Sequence, residues 1–281
     1  MAIEVFNRYE LKYLLDMDTF NSIVSALEKR MIPDPHNGTA ADGYEYYNIC
    51  NIYYDTSDDY IIRRSLEHPV YKEKLRMRCY GIPSTGDEVF LEIKKKFKGI
   101  VNKRRTLIGI ADAYRLTESL GTADVSGENI NIQALMEIRS FLKRYEPVPK
   151  VCISYERLAF FDREDPEIRV SFDRSICARR HDLRLESGCY GRLLLPPELR
   201  LMEIKLERPA PIWLAQLLSS LRIYKISFSK YGIEYMLHNA EKTGRLKYAE
   251  KLLPGPMRES YIYRENSIKE QHYGKYFKHS S

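Results

Sequence analysis

The sequence predicts an α+β fold built on a closed antiparallel β-barrel of about eight strands with flanking short helices. Three observations lead there. Segments far apart in the chain alternate with a period of two, and in each the apolar residues share one face while charged, mostly basic residues share the other. Helical spacing is confined to short stretches between these segments. Strands with two demanding faces are satisfied most simply when the sheet closes around a polar interior. The 281 residues suffice for one large or two small domains, and no internal repeat is visible. Residues 1–252 read as one domain. Residues 253–281, polar and tyrosine-rich without periodicity, read as a peripheral or mobile tail.

The first strand is Arg8-Tyr9-Glu10-Leu11-Lys12-Tyr13. Asp16 or Asp18 caps a helix whose Phe20, Ile23, Val24 and Leu27 recur at helical spacing. Pro33 to Gly38 breaks the chain, and Tyr46 to Asp55 is a strand rich in aromatic and β-branched residues. Ile61 to Ser65 forms a turn or short helix. Lys74-Leu75-Arg76-Met77-Arg78-Cys79-Tyr80 and Val89-Phe90-Leu91-Glu92-Ile93-Lys94-Lys95-Lys96 form a hairpin across the loop Gly81 to Asp87. A turn at Gly99 leads into a further basic strand over Val101–Ile110, with Val101, Lys103 and Arg105 on one face. A helix follows from Ile132 to Tyr145, ending before Pro147. Strand patterns return at Val151–Phe161, Ile168–Phe172 and Leu199–Leu206. Pro211 precedes a core helix carrying Trp213, Leu214, Leu217, Leu218 and Leu221. A last short strand is expected at Ile223–Ser227 and a last helix from near Ile233.

Lys and Arg number 45 against 39 Asp and Glu, so the net charge of +6 does not by itself indicate nucleic-acid binding. Clustering carries more information than the total. Like charges about 4 Å apart interact by about 4 kcal/mol at an effective dielectric of 20, so bases crowded into a barrel require carboxylates, water or a polyanion between them. Arg76, Arg78, Lys94, Lys103, Arg157, Arg169, Lys205 and Lys230 form such a set. A chain of phosphates meets the requirement, with Arg as a planar fork for two oxygens and Lys as a compact charge. Glu10, Glu92 and Glu203 on the same faces either neutralise the bases or hold a divalent ion, which needs only one or two carboxylates plus water and phosphate oxygens; Glu203 is the favoured ligand.

Other chemistries lack their signatures. There is no Walker-A loop, no Gly-x-Gly-x-x-Gly and no nucleophile motif, and the six histidines fall in loops, helices or the tail. Phosphoryl transfer needs little acid–base help when the acceptor is itself a phosphate. The five cysteines include no Cys-x-x-Cys, and their odd number argues against a closed disulfide framework. No stretch approaches the roughly 18 apolar residues of a membrane span. A reducing cytoplasm is the expected location.

Phe6 to Tyr13, Ile52-Tyr53-Tyr54-Asp55-Thr56, Lys74 to Gly81, Phe90 to Lys94, Ser154-Tyr155-Glu156-Arg157, Ile168 to Asp173, Leu201-Met202-Glu203-Ile204-Lys205 and Ser229-Lys230-Tyr231 together resemble the VTC domain. This is the polyphosphate polymerase module of the vacuolar transporter chaperone complex, within the triphosphate tunnel metalloenzymes. The resemblance runs from about Phe6 to Tyr235. It implies an antiparallel tunnel that binds ATP by its triphosphate and passes the γ-phosphate to a growing polyphosphate end, releasing ADP. Carried over by position, Lys12, Arg76, Arg78, Lys94, Lys103, Arg157, Arg169 and Lys230 are the expected phosphate-binding bases. Glu203 is the expected ligand of Mn²⁺ or Mg²⁺, and Ser229 adds a hydroxyl contact to the nucleotide beside Arg76, Arg78 and Lys94. The wider superfamily opens with Glu-x-Glu-x-Lys, whereas this chain has Arg8-Tyr9-Glu10-Leu11-Lys12. Losing one acid argues against a two-metal hydrolase and agrees with the polymerase branch. The expected partners are ATP and polyphosphate, with no nucleic acid, no membrane segment in this chain, and a membrane partner left open.

Two other readings compete. One keeps the tunnel as a triphosphatase or nucleotide cyclase. The other is a module that holds polyphosphate without turning it over. Nucleic-acid binding is weaker, because base stacking calls for aromatics and the basic faces carry few beyond Tyr80 and Phe90.

Overall fold

The computed structural model describes residues 9–37, 46–98, 100–245, 253–255 and 257. In chain order the strands and helices are β1 (Tyr9–Leu15), α1 (Met17–Leu27), β2 (Met31–Pro33), β3 (Tyr47–Asp55), α2 (Tyr60–Leu66), β4 (Tyr71–Tyr80), β5 (Glu88–Phe97) and β6 (Ile100–Gly109). They continue with α3 (Ile110–Glu118), α4 (Ile132–Tyr145), β7 (Val148–Asp162), β8 (Arg169–Arg179), β9 (Arg192–Leu193), β10 (Arg200–Leu206), α5 (Ile212–Ser220) and α6 (Lys230–Lys242). Eight strands follow one another in the order β1-β10-β8-β7-β3-β4-β5-β6, with β2 and β9 attached to β7 and β8. Every pairing is antiparallel. The sheet curls so far that Lys94 of β5 reaches Glu10 of β1, at 2.8 Å, although five strands separate them in the ladder.

The period-two pattern sorts the two faces as expected. Leu75, Met77 and Cys79 of β4 and Val89, Leu91 and Ile93 of β5 pack outward against α3 and α4. Tyr13 and Leu15 of β1, with Met202, Ile204, Val170 and Phe172, pack outward against Phe20, Ile23, Val24 and Leu27 of α1 and Leu214 and Leu218 of α5. The opposite, concave face is apolar towards one end, where Leu201, Ile153 and Tyr53 meet Phe228 and the α6 residues Tyr231, Ile233 and Leu237. That end is plugged by α6. The middle of the concave face carries charge.

Caps locate the helices. Asp16 accepts the Thr19 N–H at 2.8 Å, and Asn131 accepts the Ala134 N–H at 2.9 Å, each satisfying an amide that the first helical turn leaves open. The α4 helix spans Ile132–Tyr145 as the spacing predicts. Two expectations change. Residues Ile223–Ser227 form no strand: the Ile226 N–H donates to the Lys12 carbonyl at 2.8 Å, but the next outward carbonyl, that of Phe228, is taken by the Lys12 ammonium at 2.9 Å instead of a ladder. The last helix starts at Lys230, three residues before Ile233, because the Ser229 side chain caps it through the Gly232 N–H. Of the segment after 252, Leu253 and Met257 are buried beside α6, and its residues from 258 on lie outside the described ones. Among the described residues no helix is long and apolar enough to cross a membrane.

Candidate functional site

Antiparallel register places inward-facing residues of neighbouring strands directly opposite one another. Lys74 of β4 pairs with Lys94 of β5, which pairs with Lys103 of β6. One step along, Tyr53 pairs with Arg76 and Arg76 with Glu92. Across the sheet, Lys12 pairs with Glu203 and Glu203 with Ser171, while Arg157 pairs with Asp173. Alternation within each strand and register between strands therefore gather these side chains without any loop.

Three sunken carboxylates organise the bases. Glu92, only 1% exposed, accepts from Arg76 Nε at 2.6 Å and lies 3.3 Å from Lys103 Nζ and 3.8 Å from Arg78 Nε. Asp173, fully buried, accepts from Arg157 Nε and Nη2 at 2.7 and 2.8 Å and from Lys230 Nζ at 2.5 Å. Glu203 lies 3.4 Å from Lys12 Nζ, 3.6 Å from Arg157 Nη2 and 3.9 Å from Lys205 Nζ. Arg157 thus joins the Asp173 and Glu203 groups. Tyr155 joins them to the Glu92 group, because its hydroxyl accepts from Arg78 Nη2 at 3.0 Å while Lys230 stands 4.3 Å from its ring centroid.

Charge states follow from this geometry. Burial alone would raise the carboxyls of Glu92 and Glu203, but Arg76, Arg78 and Lys103 around the first, and Lys12, Lys205 and Arg157 around the second, hold both well below the ordinary range. Asp173 is lowered too, with Arg157 and Lys230 overcoming its burial. The lysines divide. Burial, then Lys72 and Lys94, pushes Lys74 down to about 7, and burial brings Lys103 to about 8 despite Glu92. Lys205 falls to about 7 for the same reason, although Glu203 and Glu10 favour its charge. Lys230 is raised, since Asp173 outweighs burial. In Tyr155 the charges of Arg78, Arg157 and Lys230 overcome burial and lower the phenol.

The bases are enclosed yet wet. Side chains of Arg76, Lys205 and Lys103 keep 20%, 26% and 40% of their accessible surface although protein surrounds them, whereas the carboxylates beneath are nearly sealed. Among the described residues, Lys12, Lys74, Arg76, Arg78, Lys94, Lys103, Arg157, Lys205 and Lys230 share the acids Glu10, Glu92, Asp173 and Glu203, so bases outnumber acids in this group.

Most residues expected from sequence meet here. Arg169 lies opposite Lys205 in the register and reaches Asp34 at 3.6 Å, stacking 4.1 Å from the Phe161 ring centroid, nearer the end away from α6. Ser229 is engaged as the α6 cap. Asp173 carries no role in the sequence reading, although it shares the inward alternation with Arg169 and Ser171; an acid two steps from a base on a polar strand face is the available signal. Asn51, which accepts from Arg78 Nε at 2.7 Å, and Tyr155 had no such signal, because nothing local distinguishes them from ordinary strand residues.

Burial also explains two of the motifs. Asp55 accepts the Ile61 and Ile62 N–H groups of α2 and the Tyr231 hydroxyl at 2.9 Å, fastening α2 and α6 to the end of β3. Ser229-Lys230-Tyr231 therefore caps a helix, neutralises Asp173 and locks the plug in three consecutive residues.

The chain is 24% identical over 274 residues to vacuolar transporter chaperone complex subunit 4 of Trypanosoma cruzi (strain CL Brener); the match takes in 82% of this chain and 34% of that protein's length. Among solved structures it is similar to HpAC1 from Hippeastrum, described as an adenylyl cyclase with a dominant triphosphatase activity, at 15% identity and a TM-score of 0.45, over 80% of this chain and 93% of that one. The VTC domain signature matches residues 7–238, so the chain belongs to the VTC domain family.

Proposed function

We propose that this domain is a metal-dependent polyphosphate polymerase that closes its curled sheet into a tunnel and transfers the γ-phosphate of ATP to the end of a polyphosphate chain, releasing ADP. The observation that carries the reading is the layer of water-accessible bases from β1, β4, β5, β6 and β10 standing over nearly sealed carboxylates. A polyanion lying along the bases supplies the negative charge they lack, while the acids below keep the empty face from repelling itself apart.

Positioning and charge neutralisation perform the transfer. A terminal oxygen of the acceptor phosphate attacks the γ-phosphorus, the bond from that phosphorus to the β,γ-bridging oxygen breaks, and ADP leaves with the electron pair. The acceptor is already an anion, so no base has to take a proton from it. Arg76, Arg78 and Lys103 around Glu92 and Arg157 and Lys230 around Asp173 hold the phosphates in line. Their guanidinium groups stay charged throughout.

Glu203 fits a divalent ion. Its contacts with Lys12, Arg157 and Lys205, at 3.4 to 3.9 Å, are looser than hydrogen bonds, and its carboxyl is strongly held ionised. Among the described residues no group of three or more His, Cys, Asp or Glu could hold a metal ion, so Glu203 would be the carboxylate offered to it. Glu203 would hold Mn²⁺ or Mg²⁺, which would supply charge neutralisation on the transferring phosphates.

Incubating the purified domain with ATP and Mn²⁺ is expected to yield ADP and a ladder of long phosphate chains on a gel. Orthophosphate without chains would make the domain a triphosphatase. Tight polyphosphate binding with no turnover, in the wild type as in Glu203→Gln, would make it a binding module.

A further inference from the structure

At the end of the concave face away from α6, the inward alternation changes from charge to aromatic rings. Tyr80 follows Arg78 by one two-residue step, roughly 7 Å along β4. His36, from the turn after β2, lies over Tyr80 with ring centroids 6.2 Å apart and planes 18° from parallel. Tyr47 meets both, at 6.3 Å from His36 and 6.0 Å from Tyr80, and Phe90 meets Tyr80 edge-on at 6.0 Å. The Arg105 guanidinium sits 4.3 Å from the Phe90 centroid. These residues come from four strands and a turn, yet they form one cluster at the rim.

Core packing accounts for only part of the cluster. Tyr47 packs against the apolar cluster that holds Ile49 and Ile153, but Tyr80 is 46% exposed and His36 is exposed, and neither belongs to the buried apolar clusters. Aromatic and guanidinium planes left open to water beside a row of phosphate-binding bases form a stacking platform for a flat heterocycle. A triphosphate held at Arg76 and Arg78 continues outward towards Tyr80, where a nucleoside would lie. An inorganic phosphate chain has nothing to offer these rings.

We infer that His36, Tyr47, Tyr80 and Phe90, with Arg105, form a nucleobase subsite that selects a nucleoside triphosphate over inorganic polyphosphate at the rim of the basic face. The inference rests on the reading of that face as a triphosphate site. Tyr80 is its central residue, because it touches His36, Tyr47 and Phe90. The platform positions substrate and takes no part in the chemistry.

The test compares two ligands by calorimetry without added metal, so that turnover stays out of the measurement: the β,γ-imido analogue of ATP and inorganic tripolyphosphate. The full chain is expected to bind the analogue more tightly than tripolyphosphate. Tyr80→Ala is expected to weaken the analogue about tenfold or more, from the range of a lost base–aromatic stack, and to leave tripolyphosphate within about twofold. Tyr80→Phe, which keeps the ring, restores binding, and His36→Ala repeats the loss in weaker form. Equal weakening of both ligands, or no change in either, overturns the subsite. A wild-type chain that binds neither ligand overturns the triphosphate reading itself. Thermal unfolding of each variant separates lost stacking from lost structure.

Discussion

Anion binding at this face should take up protons, and the share of two of its lysines can be worked out. Lys74 is held near 7 and Lys103 near 8 by burial and by the bases beside them. At pH 8 the free protein therefore carries about 0.1 proton on Lys74 and about 0.5 on Lys103. A bound triphosphate places negative charge against both ammonium groups and returns them towards the ordinary lysine range, so binding takes up about 0.9 proton at the first and about 0.5 at the second. At pH 6 both are already charged and the uptake nearly vanishes. The assay is isothermal titration with tripolyphosphate in buffers of different ionisation enthalpy, where the slope of the observed enthalpy gives the proton count. Protons on the ligand cancel by comparison with Lys74→Met and Lys103→Met, expected to lower the count at pH 8 by about 0.9 and about 0.5. Unchanged counts in both variants would show these lysines charged before the ligand arrives, and the account of their depression by burial would be wrong.

The same lysines set the pH dependence of the empty protein. Their folded values lie below the unfolded value of 10.5, so between about pH 7 and pH 10 the unfolded chain binds more protons and stability rises with pH. The melting temperature should climb from pH 7 to pH 9, a trend that saturating tripolyphosphate flattens or reverses. The acid side has the opposite cause: Glu92, Glu203 and Asp173 are depressed, so their contribution is present above the ordinary carboxylate range and is lost as pH falls through it. Asp173→Asn removes the acceptor shared by Arg157 and Lys230 in a fully buried place, and denaturant unfolding should show a loss of about 3 kcal/mol, the usual size for a broken buried ion pair.

The fold was legible where alternation was strict. A strand with Leu75, Met77 and Cys79 on one side and Lys74, Arg76 and Arg78 on the other can sit in only one orientation, since a one-residue slip exchanges the faces. The helix of Ile132–Tyr145 was legible for the corresponding reason, with Leu135, Met136, Ile138, Phe141 and Leu142 at helical spacing and Pro147 after it. Ile223–Ser227 misled because apolar residues at short spacing satisfy a strand pattern, while the competitor for the backbone carbonyl, the Lys12 ammonium, lies 216 positions away in the chain. The early start of α6 could have been read from Ser229, which the motif instead suggested as a ligand contact.

In the candidate site, the bases were legible and most of their partners were not. A basic residue in an alternating strand announces its face, but which acid lies under it depends on register between strands that no local pattern encodes. Crowded bases, taken alone, suggest a face that repels itself, so that removing any one should relax the fold. Register gives another answer. Arg76 covers Glu92, and Arg157 and Lys230 cover Asp173, so each of these bases also holds a buried acid whose exposure to an unpaired, low-dielectric setting would be costly. Lys74, Lys94 and Lys103 differ: they face one another across three strands, and among the described residues Lys94 and Lys103 lie within ion-pairing distance of an acid while Lys74 does not. Structural bases keep their charge through their acids, while Lys74 and Lys103 give up part of theirs until an anion restores it, so these two lysines are where ligand binding and protonation are one event.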